Sequence, residues 1–181
     1  FGELAERLNA AGYALASLAS LPHLSVAGAV ATATHGSGDA HGNLATMVSG
    51  LELITADGGV RTLRRDTGGE EFRGSVVSLG SLGLATAVSL DLVPAFTIRQ
   101  YVYEGLPAAM LQSHFDEIFA SAYSVSVFTN WRGDRHSQLW VKVRDEEANG
   151  WRPAARWMDA TLADHQVHPV PGGDPAHATQ Q

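Results

Sequence analysis

The residues best suited to chemistry lie in one stretch, Ala19 to Gly42, reading ASLPHLSVAGAVATATHGSGDAHG. From Ala19 to Gly38 it holds no acid and no Lys or Arg, and most of its side chains are small. Small side chains let backbone approach a flat or bulky partner. Gly28 has no Cβ, and Ala27, Ala29, Ala31 and Ala33 keep the surroundings shallow. A short helix starting near Gly28 would aim free N–H groups at that partner, which suits a phosphate or an electron-rich ring. Ser20, Ser25, Thr32, Thr34 and Ser37 add hydroxyls that donate or accept. A buried helix and turn packed on a sheet accounts for the same composition, and residue types alone do not separate the two.

Other chemistries find less support. Gly36, Gly38 and Gly42 miss the G-x-G-x-x-G dinucleotide spacing by one residue, and no Lys follows to make a P-loop. Gly36-Ser37-Gly38 lacks the spacing of a nucleophile elbow. His165, His168 and His177 sit in a polar stretch without the acid spacing that would fix a metal site, so a solvated tail is expected there. His35 and His41 flank a Gly-rich turn and read as structural or as neighbours of a ligand. Glu70 and Glu71 are adjacent and diverge on a helix, which argues against a carboxylate pair. Trp131, Trp140, Trp151 and Trp157 are expected in the core.

These candidates need elements to hold them. Glu3 to Ala11 puts Leu4 and Leu8 on one helical face and ends at Gly12. Val48 to Thr55, the Asp57-Gly58-Gly59 turn and Val60 to Leu63 predict a β-hairpin. Glu70 to Ser78 reads as a helix with Phe72 and Val76 inward, and Leu84 to Val93 as a strand stopped by Pro94. The Gly80–Gly83 entry to that strand fits either backbone passing a ligand or a plain turn. After Pro94 the register restarts with a strand at Phe96 to Glu104 and a helix at Pro107 to Ala122. That helix would turn Leu111, Phe115, Ile118 and Phe119 inward. Strands at Ser124 to Thr129 and Gln138 to Val143 and a helix at Trp151 to Ala163 follow. The class is α+β in two parts, 1–94 and 95–181.

Composition bounds the function. The 181 residues are 45% hydrophobic and 17% charged, with net charge −7, so neither nucleic acid nor an anionic membrane is an expected partner. The absence of cysteine removes disulfides and thiolate metal sites. No apolar run reaches the length of a membrane span, and a cytoplasmic location is the default expectation. Phe1 enters a helical pattern at once and Pro169 to Gln181 closes no element, so a piece of a longer protein is expected.

Three blocks in order, SLPHLSVAGAVATATHGSG, LELITADGG and SLGSLGLATAVSLDLVP, resemble the FAD domain of vanillyl-alcohol-oxidase-type flavoproteins, on the branch of the alditol and sugar-lactone oxidases. The likeness continues through AYSVSVFTNWR and QLWVK to HPVPG. The resemblance implies that 1–94 is the second subdomain of a PCMH-type FAD-binding domain, with a mostly antiparallel sheet and flanking helices. It implies that 95–181 starts an α+β substrate domain. The implied cofactor is FAD. The implied reaction oxidises a CH–OH group of a polyol or sugar lactone, with oxygen as acceptor and hydrogen peroxide as product.

By the same resemblance Ser20 touches flavin and substrate, and Ala19 leaves room for oxygen beside the ring. Ser25, Gly28, Ala29, Val30, Ala31 and Ala85 would contact the cofactor. The Gly-His-Ser motif of the pyrophosphate site and the residues that grip the polyol would lie outside this chain. Alone, the chain is expected to be inactive and to self-associate through an uncovered FAD face. A stand-alone binding or structural module without flavin is the rival expectation.

Overall fold

A computed structural model describes residues 1–145, 152–170 and 172–174. The chain divides into two compact units, one of residues 1–36 with 41–95 and one of residues 37–40 with 96–181.

In the first unit, helix α1 (Gly2–Ala10) ends two residues before Gly12, as its pattern predicts. Strands β2 (Val48–Ile54) and β3 (Val60–Arg64) form the expected antiparallel hairpin. Its turn is held by Asp57, whose Oδ1 accepts from the Thr55 hydroxyl at 2.5 Å and from the Gly59 N–H at 3.2 Å. Strand β4 (Leu84–Leu90) pairs on the other side of β2, giving a three-stranded antiparallel sheet in the order β3-β2-β4.

The predicted strand from Leu84 to Val93 therefore splits. Its last residues, β5 (Val93–Pro94), pair instead with β1 (Tyr13–Ala14). Gly83 resolves the question of the glycine-rich entry. Its φ is +142°, and a Cβ there would run into the Ile54 carbonyl, so the close approach is to β2 itself.

Helix α2 (Val26–Ala31) and helix α3 (Gly69–Val76) cover one side of this sheet. Phe72 and Val76, four apart on α3, bury with Ala29, Val30, Leu44, Val48, Leu51, Leu53 and Leu63. The Arg65 guanidinium ties the rim together. It donates to the carbonyls of Thr46 at 2.9 Å and Val48 at 3.0 Å and pairs with Asp91 at 2.5 Å.

The second unit is a five-stranded antiparallel sheet, β7-β8-β6-β10-β9. These strands are β6 (Ile98–Pro107), β7 (Ser124–Phe128), β8 (Arg135–Arg144), β9 (Arg156–Trp157) and β10 (Ala160–Leu162). One face carries Tyr103, Val125, Leu139, Val141 and Val143 into the core, where Ile118 is fully buried.

Three expectations are corrected here. The helix predicted over Pro107 to Ala122 breaks into α4 (Ala108–Ser113) and α5 (Phe115–Phe119). Ser113 bonds back to the Ala109 carbonyl at 2.8 Å and to the His114 ring at 2.8 Å, which ends the first helix. The break changes the helical phase, so Phe115 is 54% exposed rather than inward and packs at a tilt against Phe119, with centroids 4.6 Å apart. The tryptophans also part company. Trp140 is buried and Trp157 packs on Tyr103 with centroids 5.8 Å apart, whereas Trp131 is 89% exposed and Trp151 lies outside the described residues.

The third correction is that the helix predicted over Trp151 to Ala163 is a hairpin. Trp157 pairs with Ala160 across Met158 and Asp159, whose φ values are +51° and +59°. Two positive φ values at the centre of a two-residue loop make a type I′ turn. Pairing of β10 with β6 decides against the helix, because it completes the sheet over Tyr103. Glycine takes left-handed backbone at less cost than Asp159, which is exposed and has a long ion-pair contact to Arg156 at 3.9 Å. Asp159→Gly is therefore expected to raise stability by up to about 1 kcal/mol. Urea denaturation checks it, and a loss of stability would mean that this turn is not formed.

Candidate functional site

The stretch from Ala19 to Gly42 is built around α2, and its sequence explains how so short a helix holds. Ser25 is the N-cap, with φ −73° and ψ 145°, and its Oγ accepts from the Gly28 N–H at 3.1 Å. At the other end the Ala33 N–H donates to the Val30 carbonyl at 3.1 Å and the Thr34 N–H to the Ala29 carbonyl at 2.9 Å. With Ala33 at φ +53° this is a Schellman closure, carrying alanine where glycine is usual. The Leu79 N–H takes the Ala31 carbonyl at 3.0 Å.

This geometry corrects part of the chemistry expected from the sequence. Helix α2 starts at Val26, and the Gly28 N–H is engaged by the cap rather than free for a phosphate. A Cβ at Gly28 would lie 2.7 Å from Ser25 Oγ, so the capping hydroxyl itself accounts for the glycine. The hydroxyls are largely used internally. Thr32 Oγ1 donates to the Gly28 carbonyl at 3.0 Å, Thr34 Oγ1 meets Thr32 Oγ1 at 3.2 Å, and Ser37 Oγ meets Ser124 Oγ at 2.5 Å. His35 bonds its neighbour's carbonyl, Gly36 O, at 2.9 Å.

The structure gathers most of the predicted site residues. Ala29 and Val30 are 4% and 2% exposed and face the core, and Ala19 and Ala85 pack against that same core from two other segments. Ser20, Ser25 and Gly28 are exposed, and Ala19, Ala31 and Ala85 are half-buried. What a ligand can reach is thus a shallow, uncharged surface of small residues, while the Ala29 and Val30 side chains support it from beneath. Such a surface fits a flat ring better than a phosphate. Among the described residues no three His, Asp or Glu side chains cluster as metal ligands, and no helix is long and apolar enough to cross a membrane.

Residues 1–64 match the FAD binding domain family. The first unit is therefore similar to part of an FAD-binding domain. All 181 residues align at 46% identity with alditol oxidase from a Streptomyces species, covering 41% of that protein. D-arabinono-1,4-lactone oxidase of Saccharomyces cerevisiae is 28% identical over 161 residues, which is 88% of this chain and 30% of that protein. L-gulonolactone oxidase of Scyliorhinus torazame is 35% identical over 97 residues, 54% of this chain and 22% of that protein. The chain spans well under half the length of these relatives. The cofactor indicated is FAD, and the α+β, mostly antiparallel class expected from the sequence is the observed one.

One residue was missed. Lys142 lies in β8, and a lysine in an alternating strand reads as a solvated position. In the structure it is half-buried, and burial pushes its ammonium below the ordinary lysine value. No ion pair or hydrogen bond holds it among the described residues.

The two ends of α2 give opposite expectations. Ser25→Ala removes the cap and should lower stability by about 1 kcal/mol, whereas Ala33→Gly relieves left-handed alanine and should raise it by about 1 kcal/mol. Chemical denaturation of both variants checks the pair. Equal midpoints for the two would sink the account of how the helix is held.

Proposed function

We propose that this chain is part of an FAD-dependent oxidase that removes hydride from a CH–OH group of a polyol or sugar lactone and passes the electrons to oxygen, forming hydrogen peroxide. The observation that carries the reading is the 46% identity with alditol oxidase along every residue of the chain. The uncharged small-residue surface around α2 supports it, because it can lie flat against an isoalloxazine ring. FAD would supply hydride acceptance, and the protein's share is to position the ring and shape its surroundings.

In this reading residues 1–94 are the second FAD subdomain and residues 95–181 begin the substrate domain. Ser20, exposed at the edge of the surface, contacts flavin and substrate, and half-buried Ala19 keeps space for oxygen. Ser25, Gly28, Ala31 and Ala85 lie against the cofactor, with Ala29 and Val30 holding the helix from below.

The protein carrying this chain should take up FAD with the visible spectrum of a bound flavin and form peroxide from an alditol. Gly28→Asp, which puts a carboxylate on the surface and strikes the Ser25 hydroxyl, should abolish uptake. Loss of one Ser20 hydrogen bond in Ser20→Val should lower kcat/KM about tenfold with flavin retained. A protein that stays colourless through an FAD titration followed by flavin fluorescence would end the proposal.

Self-association belongs to the same reading. Val60, Ile54 and Leu84 are direct cross-strand neighbours at one end of the first sheet and are 65%, 40% and 69% exposed. Such an apolar row favours contact with another surface. Sedimentation of this chain should show association that Leu84→Lys reverses, and a single monomeric species at all concentrations would remove the idea.

A further inference from the structure

The turn that joins β2 to β3 runs from Thr55 to Gly59 and is exposed beyond Thr55. Its geometry demands glycine at position 58, where φ is +79°. It also calls for a short acceptor at position 57, because Asp57 Oδ1 takes the Gly59 N–H at 3.2 Å and closes the turn through its side chain. Together these needs place aspartate directly before glycine at an exposed tip. Among the described residues it is the one aspartate or asparagine followed by glycine.

That dipeptide carries a chemistry of its own. The Gly58 nitrogen has no Cβ beside it to shield it and can attack Cγ of Asp57. A C–N bond forms, and the nitrogen's proton leaves with the hydroxyl of the protonated carboxyl as water, closing a five-membered succinimide. Water then opens the ring. Breaking the new bond restores aspartate, whereas breaking the original peptide bond leaves the main chain running through Cγ as isoaspartate. No oxidant and no co-reactant other than water takes part. The extra backbone atom would fall at the tip of the hairpin, where the register sets Ile54 against Val60 and Leu53 against Arg61.

We propose that Asp57-Gly58 is a site of isoaspartate formation and that the Thr55 hydroxyl keeps it closed while the hairpin is folded. The Thr55 hydroxyl donates to Asp57 Oδ1 at 2.5 Å and the Gly59 N–H donates to the same oxygen, so the carboxyl group is fastened away from the Gly58 nitrogen. The Gly58 N–H is engaged as well, donating to the Thr55 carbonyl at 2.9 Å. The bond from Thr55 first, and that from Gly59 next, hold the Asp57 carboxyl below the ordinary aspartate range, and an ionised carboxylate is a poor target for a nucleophile. The half-buried Thr55 is itself fixed over the turn, its N–H and its hydroxyl reaching the Gly59 carbonyl at 2.9 Å and 3.0 Å. Closing the turn does not by itself call for that hydroxyl, since the backbone bonds and the Gly59 N–H already do so.

The test ages the protein that carries this chain at neutral pH and physiological temperature and compares wild type with Thr55→Val and Thr55→Ser. Isoaspartate at position 57 is read by peptide mapping, which separates it from any formed at Asn149-Gly150. Thr55→Val keeps the shape and loses the donor, and it should isomerise about tenfold faster than wild type, the factor expected for one lost hydrogen bond to a carboxylate. Thr55→Ser keeps the hydroxyl and should match wild type. Held unfolded in guanidinium chloride, all three should react at one common, faster rate. Neither flavin nor turnover enters this readout, so its result stands apart from the oxidase reading.

Equal rates in folded wild type and folded Thr55→Val would overturn the proposal, as would a folded wild type that isomerises as fast as the unfolded chain. So would a rise in Thr55→Val no larger than its increased unfolded fraction, measured by chemical denaturation, accounts for. If Thr55→Val loses its fold, Thr55→Ala carries the same comparison, and loss of fold in both would overturn it in favour of a purely structural hydroxyl.

Discussion

The first unit depends on a helix of six residues lying close against a sheet. A helix this short has no stability of its own, since isolated helices below roughly 12–15 residues are marginal even for alanine-rich sequences. It persists because both ends are closed, by the Ser25 hydroxyl at one and by the N–H groups of Ala33, Thr34 and Leu79 at the other. Its buried residues, Ala29 and Val30, are small enough for the helix backbone to sit near β2 and β4, where Leu44, Val48, Leu51 and Leu53 complete the core. Larger side chains at 29 and 30 would push the helix off the sheet and separate Ala19 and Ala85 from the same core. The small residues therefore serve packing first, and the surface they leave outside is a consequence of how the inside is filled.

The second unit meets the two-sided demand of a sheet in another way. Its core face is filled by apolar side chains, with Tyr103 at 1% and Leu139 and Ile118 at 0% exposure. Its other face withdraws polar groups from water and must satisfy them internally. Gln138 does so with both ends of its amide, and Arg144 by lying over the Phe96 and Tyr123 rings.

Periodicity read from the sequence located the hairpin around Asp57, the inward face of α3 and the strands β6, β7 and β8, because each is a regular run whose apolar positions match one period. It failed where tertiary contacts overrode local pattern. Residues 156–162 look helical until β10 finds β6 to pair with, and Pro107 to Ala122 looks like one helix because Ser113 gives no sign of bonding backwards. At the candidate site the stretch itself was legible, but its working was misjudged. Ser25 ahead of an apolar run is an N-cap signal, and taking it as one would have shown that the Gly28 N–H was already engaged. Lys142 left no mark at all, because an alternating strand gives charged residues a place without saying how much water reaches them.

The two units consequently offer different kinds of recognition. Around α2 the hydroxyls of Thr32 and Thr34 meet each other and the backbone, and no Asp, Glu, Lys or Arg occurs from Ala19 to Gly38. A surface of that kind selects by shape, and shape recognition fails abruptly when a side chain is enlarged but tolerates exchange among small residues. The polar face of the second sheet selects by hydrogen bonding, where removing one donor leaves its partner unsatisfied and the loss falls on the ligand that used it. A flat ring such as that of FAD would suit the first kind of surface. A ligand that differs from another only in the number and placement of hydroxyls is told apart by the second kind, because each missing hydroxyl leaves a donor or acceptor unmet.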